Sequence, residues 1–356
     1  MKSREISLSE KKVMVKVTIA DVAKKAGCSM GTVSAVINGR LSVRPSTRQS
    51  VLNAIKELNF RPASSAKNLK SRESGQKSIG LVIRELDNPF YTDIALGVKE
   101  CADANGYTLL ISSSEGCHEH EECIVDMLSR KGISGAIIAP VLDGNSEIEH
   151  LFRLKMVNFP FVLLEEVKGI QANVVCIDNI SATKQIVKYL ADSGYDRIIH
   201  FSGPTHASHT YERIDGFRRG FSESRLVFDD SLVVPVGAHF QDGLTKGLEY
   251  FQESGHRQYP LAVVCYNDLV AWGLLSALNQ LKIDVPDQVA IVGNDDIEIA
   301  KHCARPLTTI STPRKELGKK AAEILINTVE SKNNREVSKT LLATKMVVRE
   351  STKILN

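Results

Sequence analysis

The 356-residue sequence has no apolar run approaching the roughly 18 residues that a membrane span requires. Its first dozen residues carry Lys2, Arg4, Glu5, Glu10, Lys11 and Lys12 with no apolar core among them, so no secretory signal is expected there. The expected location is cytoplasmic, with no membrane partner. The seven cysteines (28, 101, 117, 123, 176, 265 and 303) are odd in number and scattered, and no C-x-x-C occurs. Reduced thiols fit that usage better than a disulfide framework. The sequence also lacks G-x-x-x-x-G-K-[ST], G-x-G-x-x-G and G-x-S-x-G, so the phosphate-cradling and nucleophile-elbow chemistries have no foothold. An enzyme is not expected, nor a cofactor. One run, Cys117-His118-Glu119-His120-Glu121-Glu122-Cys123, holds metal-ligand residue types. On a helix, positions 118, 120 and 123 do not share one face, so the run reads as a solvated charged turn and no metal is expected.

What is present is an uneven distribution of charge. The net formal charge is only +3. Residues 1–78 hold 16 Lys/Arg against 5 Asp/Glu, a net +11, while residues 79–356 hold 29 against 37, a net −8. A basic head on an acidic body is the electrostatic footprint of a phosphate-backbone binder, although a solvated lysine-rich tail would give the same sign.

The pattern along the chain divides it further. Residues 1–17 read as an irregular N-terminal extension. Thr18-Ile-Ala-Asp21 fits a capping box that opens a helix to about Ala26. Gly27 supplies a turn, and Ser29 can cap a second helix that stops at Asn38-Gly39. Pro45 suits the first turn of a third helix running to about Leu58. Val22, Ala26, Val33, Val36, Ile37, Val51, Ile55 and Leu58 would make the shared core of this domain, 18–60. Residues 61–77 are polar and basic and read as a linker. From 78 to 356 short apolar strands alternate with amphipathic helices. The strand candidates are 79–83, 107–112, 135–139, 161–164, 174–177, 197–201, 261–265 and 289–293. That alternation predicts doubly wound parallel sheets, and the length predicts two lobes. The first lobe is expected at about 78–176 and 295–324, the second at about 177–294 and 325–356.

Two short helices joined by a Gly-containing turn make a helix-turn-helix, whose second helix enters the major groove. Gly31, Thr32 and Ala35 are small enough to let it sit deep, and Ser29, Thr32, Ser34 and Thr47 can donate to phosphates. A three-helix packing module is the bland alternative. The run T-I-A-D-V-A-K-K-A-G-C-S-M-G-T-V-S-A-V-I-N-G, at 18–39, resembles the DNA-reading segment of the lactose repressor/galactose repressor family of bacterial regulators. The likeness continues through Val43-Arg44-Pro45 and 54–62. It extends into the body at Asp87-Asn88-Pro89-Phe90-Tyr91, Arg213-Ile-Asp-Gly-Phe217, Asn267-Asp268, Val292-Gly-Asn-Asp295-Asp296 and Pro306-Leu-Thr-Thr-Ile310.

The resemblance implies a small all-α helix-turn-helix head on an α/β body like a periplasmic sugar-binding protein, with two doubly wound lobes. It implies a homodimer on a double-stranded DNA operator and a small-molecule effector between the lobes. Carried over by position, Phe90, Tyr91, Glu165, Arg213, Phe240 and Asp268 would line the effector site. The DNA-facing set would be Thr18, Ser29, Met30, Gly31, Thr32, Ser34, Ala35, Asn38, Arg44 and Thr47, with Ala66 and Leu69 as a hinge helix whose leucine wedges into the minor groove. Three departures matter. Met30, Gly31 and Ala35 stand where relatives often have long polar residues or Arg, so thymine methyls and DNA shape would carry more of the readout. Arg44 replaces a common capping residue, and Asn294 a common aromatic. Control by a protein co-repressor, or a binding protein or enzyme on the same fold, are the competing readings.

Overall fold

The computed structural model describes residues 18–37, 44–58, 60, 77–142, 148–252, 259–331 and 337–355. The chain separates into two compact units, 1–74 and 75–356.

In the first unit, α1 spans Ile19–Ala26, α2 Met30–Ile37 and α3 Pro45–Glu57. The capping box behaves as expected at one end of α1: the amide and the hydroxyl of Thr18 both donate to Asp21 Oδ2 at 2.7 Å. Gly27, with φ of 65°, ends the helix in the left-handed conformation that costs glycine nothing. Ser29 Oγ accepts the amide of Thr32 at 3.1 Å and so caps α2. Each helix sends one fully buried valine inward, Val22, Val33 and Val51, and Phe60 closes the cluster beyond α3. The expected core residues all belong to it. Asn38, Ala66 and Leu69 lie outside the described residues.

The second unit is built on two parallel sheets. The first lobe contains β1 (Lys77–Ile83), α4 (Pro89–Ala104), β2 (Tyr107–Ser113), α5 (His118–Arg130) and β3 (Ala136–Ile138). It continues with α6 (Glu149–Met156), β4 (Phe161–Leu163) and β5 (Asn173–Ile177). In the second lobe lie α7 (Asn179–Asp192), β6 (Ile198–Ser202), α8 (Ser208–Glu223), β7 (Val233–Pro235) and α9 (Phe240–Gln252). They are followed by β8 (Leu261–Cys265), α10 (Asp268–Gln280), β9 (Val289–Val292) and α11 (Ile299–His302). The chain finishes with β10 (Thr309–Ser311), α12 (Arg314–Glu330), β11 (Lys339–Leu342) and β12 (Lys345–Val347). The first sheet has the order β11-β5-β4-β3-β1-β2 and the second β7-β6-β8-β9, while β10 and β12 form a separate antiparallel pair. Strands such as β6 and β8 are buried at every residue, as parallel strands covered by helices on both faces must be.

The expected lobe boundaries need one correction. Residues 295–312 do not return to the first lobe: Ala300 and Leu307 pack in one second-lobe cluster and Ile310 in another. The return comes with α12, whose Leu317, Ala321, Ala322, Leu325 and Ile326 join the first-lobe core. It continues through β11, which pairs with β5 as an edge strand. Only from β12 onward does the chain rejoin the second lobe, where Met346 packs. The sequence reading missed β7, β10, β11 and β12 because they are three or four residues long and half exposed or paired at edges, too short to show a period.

Candidate functional site

In the first unit the candidate site is the outer face of α2. Met30 is 55% exposed, Gly31 is exposed, and Thr32, Ser34 and Ala35 are half-buried. No residue of α2 is charged. Thr18, expected to face DNA, and Ser29, expected to meet phosphates, are engaged within the head: Thr18 with Asp21, and Ser29 with both the amide and the hydroxyl of Thr32. A hydroxyl can still rotate toward a phosphate, but it must give up a local partner to do so. Arg44 stands exposed before α3 and Thr47 is half-buried within it.

In the second unit a cleft of about 580 Å³ opens between the lobes, within the size range of small-molecule sites. Phe90 and Tyr91 reach it from the start of α4, where Asn88 Oδ1 caps the helix by accepting the Phe90 amide at 3.1 Å. Their rings meet edge to face at 5.3 Å. Glu165 enters just beyond β4 and pairs with Arg84, whose guanidinium also donates to the Pro140 carbonyl at 2.7 and 2.9 Å. Across the cleft, Ser208 and His209 at the start of α8 both hydrogen-bond to Glu165. Burial, with the charges of Arg84 and Arg213, holds His209 far below its ordinary pKa, so a neutral ring makes that contact. A second cross-lobe pair joins Glu85 to His239 at 3.0 Å. Burial alone would lower the pKa of His239, but Glu85 and Asp242 outweigh it and raise it.

Arg213 lies at the floor. Its Nε donates to Asn179 Oδ1 at 3.2 Å, Nη1 donates to the Tyr266 carbonyl, and Nη2 faces Asp295 at 3.6 Å. The guanidinium sits 4.6 Å from the centre of the Tyr266 ring, which stacks with His209 at 5.6 Å. Gly203 makes room for that ring, since a Cβ there would come within 2.3 Å of it. Asp295 is buried and has φ of 115°, a left-handed backbone uncommon for a residue with a side chain, and Asp296 follows at 56°. Burial pushes the Asp295 carboxyl up to about 6 against the opposing charges of Arg213 and Arg314.

Two expected members are placed elsewhere. Asp268 is fully buried behind the cleft wall and does not line it. Asn267 caps α10, so the next residue turns inward. There Asp268 accepts Thr309 Oγ1 at 2.6 Å and the Ile297 amide at 2.9 Å. Burial pushes its carboxyl up to about 8, with Asp295 adding to the rise. A Cβ on Gly293 would stand 2.1 Å from its Oδ1. Phe240 points away and packs on Trp272 with ring centres 4.5 Å apart. In its loop Ala238 and His239 line the cleft instead. The sequence reading missed Arg84, Asn179, His209, Glu212, Tyr266 and Asp295 as cleft residues. Asp295 and Tyr266 sit in or beside motifs already quoted, at the C-terminal ends of strands where ligands of α/β sheets bind.

The charged run at 117–123 is not a solvated turn. Glu121 is fully buried on α5 and accepts His150 Nε2 at 2.6 Å and the Val141 amide at 2.7 Å. It thereby holds the segment whose Val141 and Leu142 line the cleft. No group of three or more metal-ligating side chains occurs among the described residues.

Comparison with known proteins agrees with both halves of this picture. Residues 18–63 match the family described as bacterial regulatory proteins, lacI family, and residues 187–352 match the periplasmic binding protein-like domain. The transcriptional repressor PurR of Vibrio campbellii is 33% identical over 341 residues, which is 95% of this chain and 99% of the relative. The transcriptional regulator DegA of Bacillus subtilis is 30% identical over 343 residues, 96% of this chain and 100% of the relative. A solved complex of the regulator CelR with cellobiose superposes with a TM-score of 0.72 at 27% identity, covering 94% of this chain and 99% of that one. A lac repressor dimer bound to operator gives 0.69 at 24% identity over 95% and 99%, a likeness of fold.

Proposed function

We propose that this chain, which belongs to the lacI family of bacterial regulatory proteins, holds a pseudo-palindromic operator as a homodimer and is switched by a small molecule in the cleft of its body. The chain is a DNA-binding transcriptional repressor and not an enzyme. The finer assignment is a sugar or sugar-like metabolite as effector. One observation carries it: a cleft of ligand size, walled by Phe90, Tyr91 and Tyr266 and floored by Arg213 and Asp295, in a chain that also holds a helix-turn-helix. Aromatic faces take the apolar side of a ring, while a guanidinium and a carboxylate fix its polar edge. In this reading the outer face of α2 meets base edges, and Arg44 and Thr47 meet phosphates.

Closure and opening of the cleft would break or form the Glu165 and Glu85 contacts, which join the two lobes. Such a switch typically carries about 1–3 kcal/mol of coupling. Fluorescence anisotropy of the full chain on operator selected from genomic fragments tests the DNA half. Affinity should be sequence-selective and fall steeply with salt. Salt-sensitive binding with no sequence preference would defeat the reading. Titration of sugars into the protein–operator complex tests the other half.

A second reading, control by a protein co-repressor, is favoured by one feature: both guanidinium groups of the cleft already hold partners within the protein, so the site could stay empty. Calorimetry separates the two. Heat of binding for a small molecule that disappears in Arg213→Ala counts against the co-repressor.

A further inference from the structure

We infer that the cleft is built for a ligand that presents hydrogen-bond donors and no anionic group, an uncharged or amine-bearing polyhydroxylated ring whose donor edge meets Glu212. This deepens the effector reading above and rests on it.

The argument starts from charge. Among the described residues six carboxylates line the cleft, Glu85, Glu115, Glu165, Glu166, Glu212 and Asp295, against the two guanidinium groups of Arg84 and Arg213. Neither arginine is available to an incoming anion. Arg84 is held by Glu165 and by the Pro140 carbonyl. Arg213 is held by Asn179, the Tyr266 carbonyl and Asp295, with its face on the Tyr266 ring. Both side chains are largely buried, so a phosphate or carboxylate could recruit one only by leaving a buried carboxylate without its partner. Of the imidazoles that line the cleft, His209 stays neutral between two arginines, His239 is taken by Glu85 and Asp242, and His206 is exposed to solvent.

The surplus is on the acceptor side. Glu212 forms no ion pair among the described residues. Its Oε2 accepts Asn179 Nδ2 at 2.8 Å, and the same Asn179 accepts Arg213 Nε. The chain Arg213–Asn179–Glu212 therefore fixes the carboxylate against the cleft while Oε1 remains open to a donor. Burial raises the pKa of Glu212, the cost of an acceptor held without a cation of its own. A hydroxyl or an ammonium relieves that cost and an anion increases it. Phe90, Tyr91 and the stacked Tyr266 and His209 supply flat apolar walls, which suit a ring.

The test uses the full chain. A bacterial metabolite extract is divided on an anion exchanger into a retained, anionic pool and an unretained pool of neutral and cationic molecules. Each pool is added in a thermal-shift titration, alongside glucose, glucosamine and glucose 6-phosphate. Stabilisation should come from the unretained pool, and Glu212→Gln should raise its midpoint about tenfold, the effect of weakening a hydrogen bond to a charged acceptor. Glu212→Asp should restore part of the response. Stabilisation by the retained pool, or by glucose 6-phosphate above glucose, overturns this inference and leaves the effector reading standing. Stabilisation by neither pool overturns both.

Discussion

The head and the body solve the same recognition problem in opposite ways. The head carries its site on the outside of one helix, α2, with uncharged side chains and, among the described residues, a core of seven buried ones beneath. The body encloses its site between lobes and lines it with charged groups that already bind one another. A surface site needs little more than a stable helix to display it. A buried charged site must satisfy every group in the empty state, so changes to it are felt in folding as well as in binding.

The largest expected effect breaks that self-satisfaction. Arg213→Met removes the cation together with its contacts to Asn179, the Tyr266 carbonyl and ring, and Asp295, leaving Asp295 buried without its cation. The body should lose about 3–5 kcal/mol in urea unfolding. The double variant Arg213→Met with Asp295→Leu should recover most of the loss, because an apolar pair of similar volume avoids the stranded charge. If the double variant is as unstable as the single one, the ion pair is not what links the two residues. Head stability, followed by hydrogen exchange of α1 to α3, should not move in either.

A pH titration sharpens the contrast next. His200 lies on β6, buried, with Nδ1 on the Val264 carbonyl at 2.9 Å and its ring stacked on Phe217. Burial lowers its pKa from 6.5 to about 4. Between those values the unfolded chain holds the proton and the folded body does not, so stability is lost as pH falls through the window. The loss amounts to about 3 kcal/mol once pH is below both values. His200→Gln, whose amide can still donate to Val264, should lack that part of the slope. Parallel stability curves for parent and variant from pH 7 to 4 would refute it. The head has no histidine between 18 and 60 and should be flat from pH 7 to 5.

The same contrast explains what could be read without coordinates. The head is local: a capping box, a left-handed glycine and periodic valines lie within about forty residues, and each dictates structure a few positions away. Seven of the eight expected strands were legible because burial on both faces leaves continuous apolar runs, and the eighth, β2, is an edge strand whose Leu110 and Ile111 are apolar but exposed. The cleft was legible where its residues fall within contiguous motifs, as Phe90, Tyr91 and Arg213 do, and at Glu165, which the resemblance supplied by position alone. Arg84, Asn179 and Glu212 come from separate segments, and nothing near Glu212 in sequence announces its neighbour Asn179. Asp268 shows the converse failure. Its motif marked it as important, but the cap at Asn267 turns it into the wall, where it braces Thr309 and Ile297 instead of facing the cleft. The lobe crossover was misread because α12 and β11 change lobes without any break in apolar pattern.

In the head a packing change should matter more than its size suggests. Val51→Ala removes two buried carbons from a fully buried position of α3, costing about 2 kcal/mol. A core this small has little reserve. Hydrogen exchange in α1 to α3 should rise sharply and operator binding should weaken, while the urea midpoint of the body stays unchanged. An unaltered exchange rate would mean that the head draws stability from elsewhere.

The smallest effect concerns what α2 reads. With no charged residue on this helix, and with Met30 the large exposed side chain at its start, direct readout falls to apolar contact and to DNA shape. A thymine differs from uracil only in the 5-methyl group that projects into the major groove. Replacing thymine by deoxyuridine in the half-sites of a selected operator should therefore weaken binding by about 1 kcal/mol per contacted methyl, near fivefold. Met30→Ala should lose most of its affinity on the thymine operator and little on the uridine one. That pattern, a penalty present in the parent and absent in the variant, separates methyl contact from a general loosening of the helix, which would weaken both operators alike.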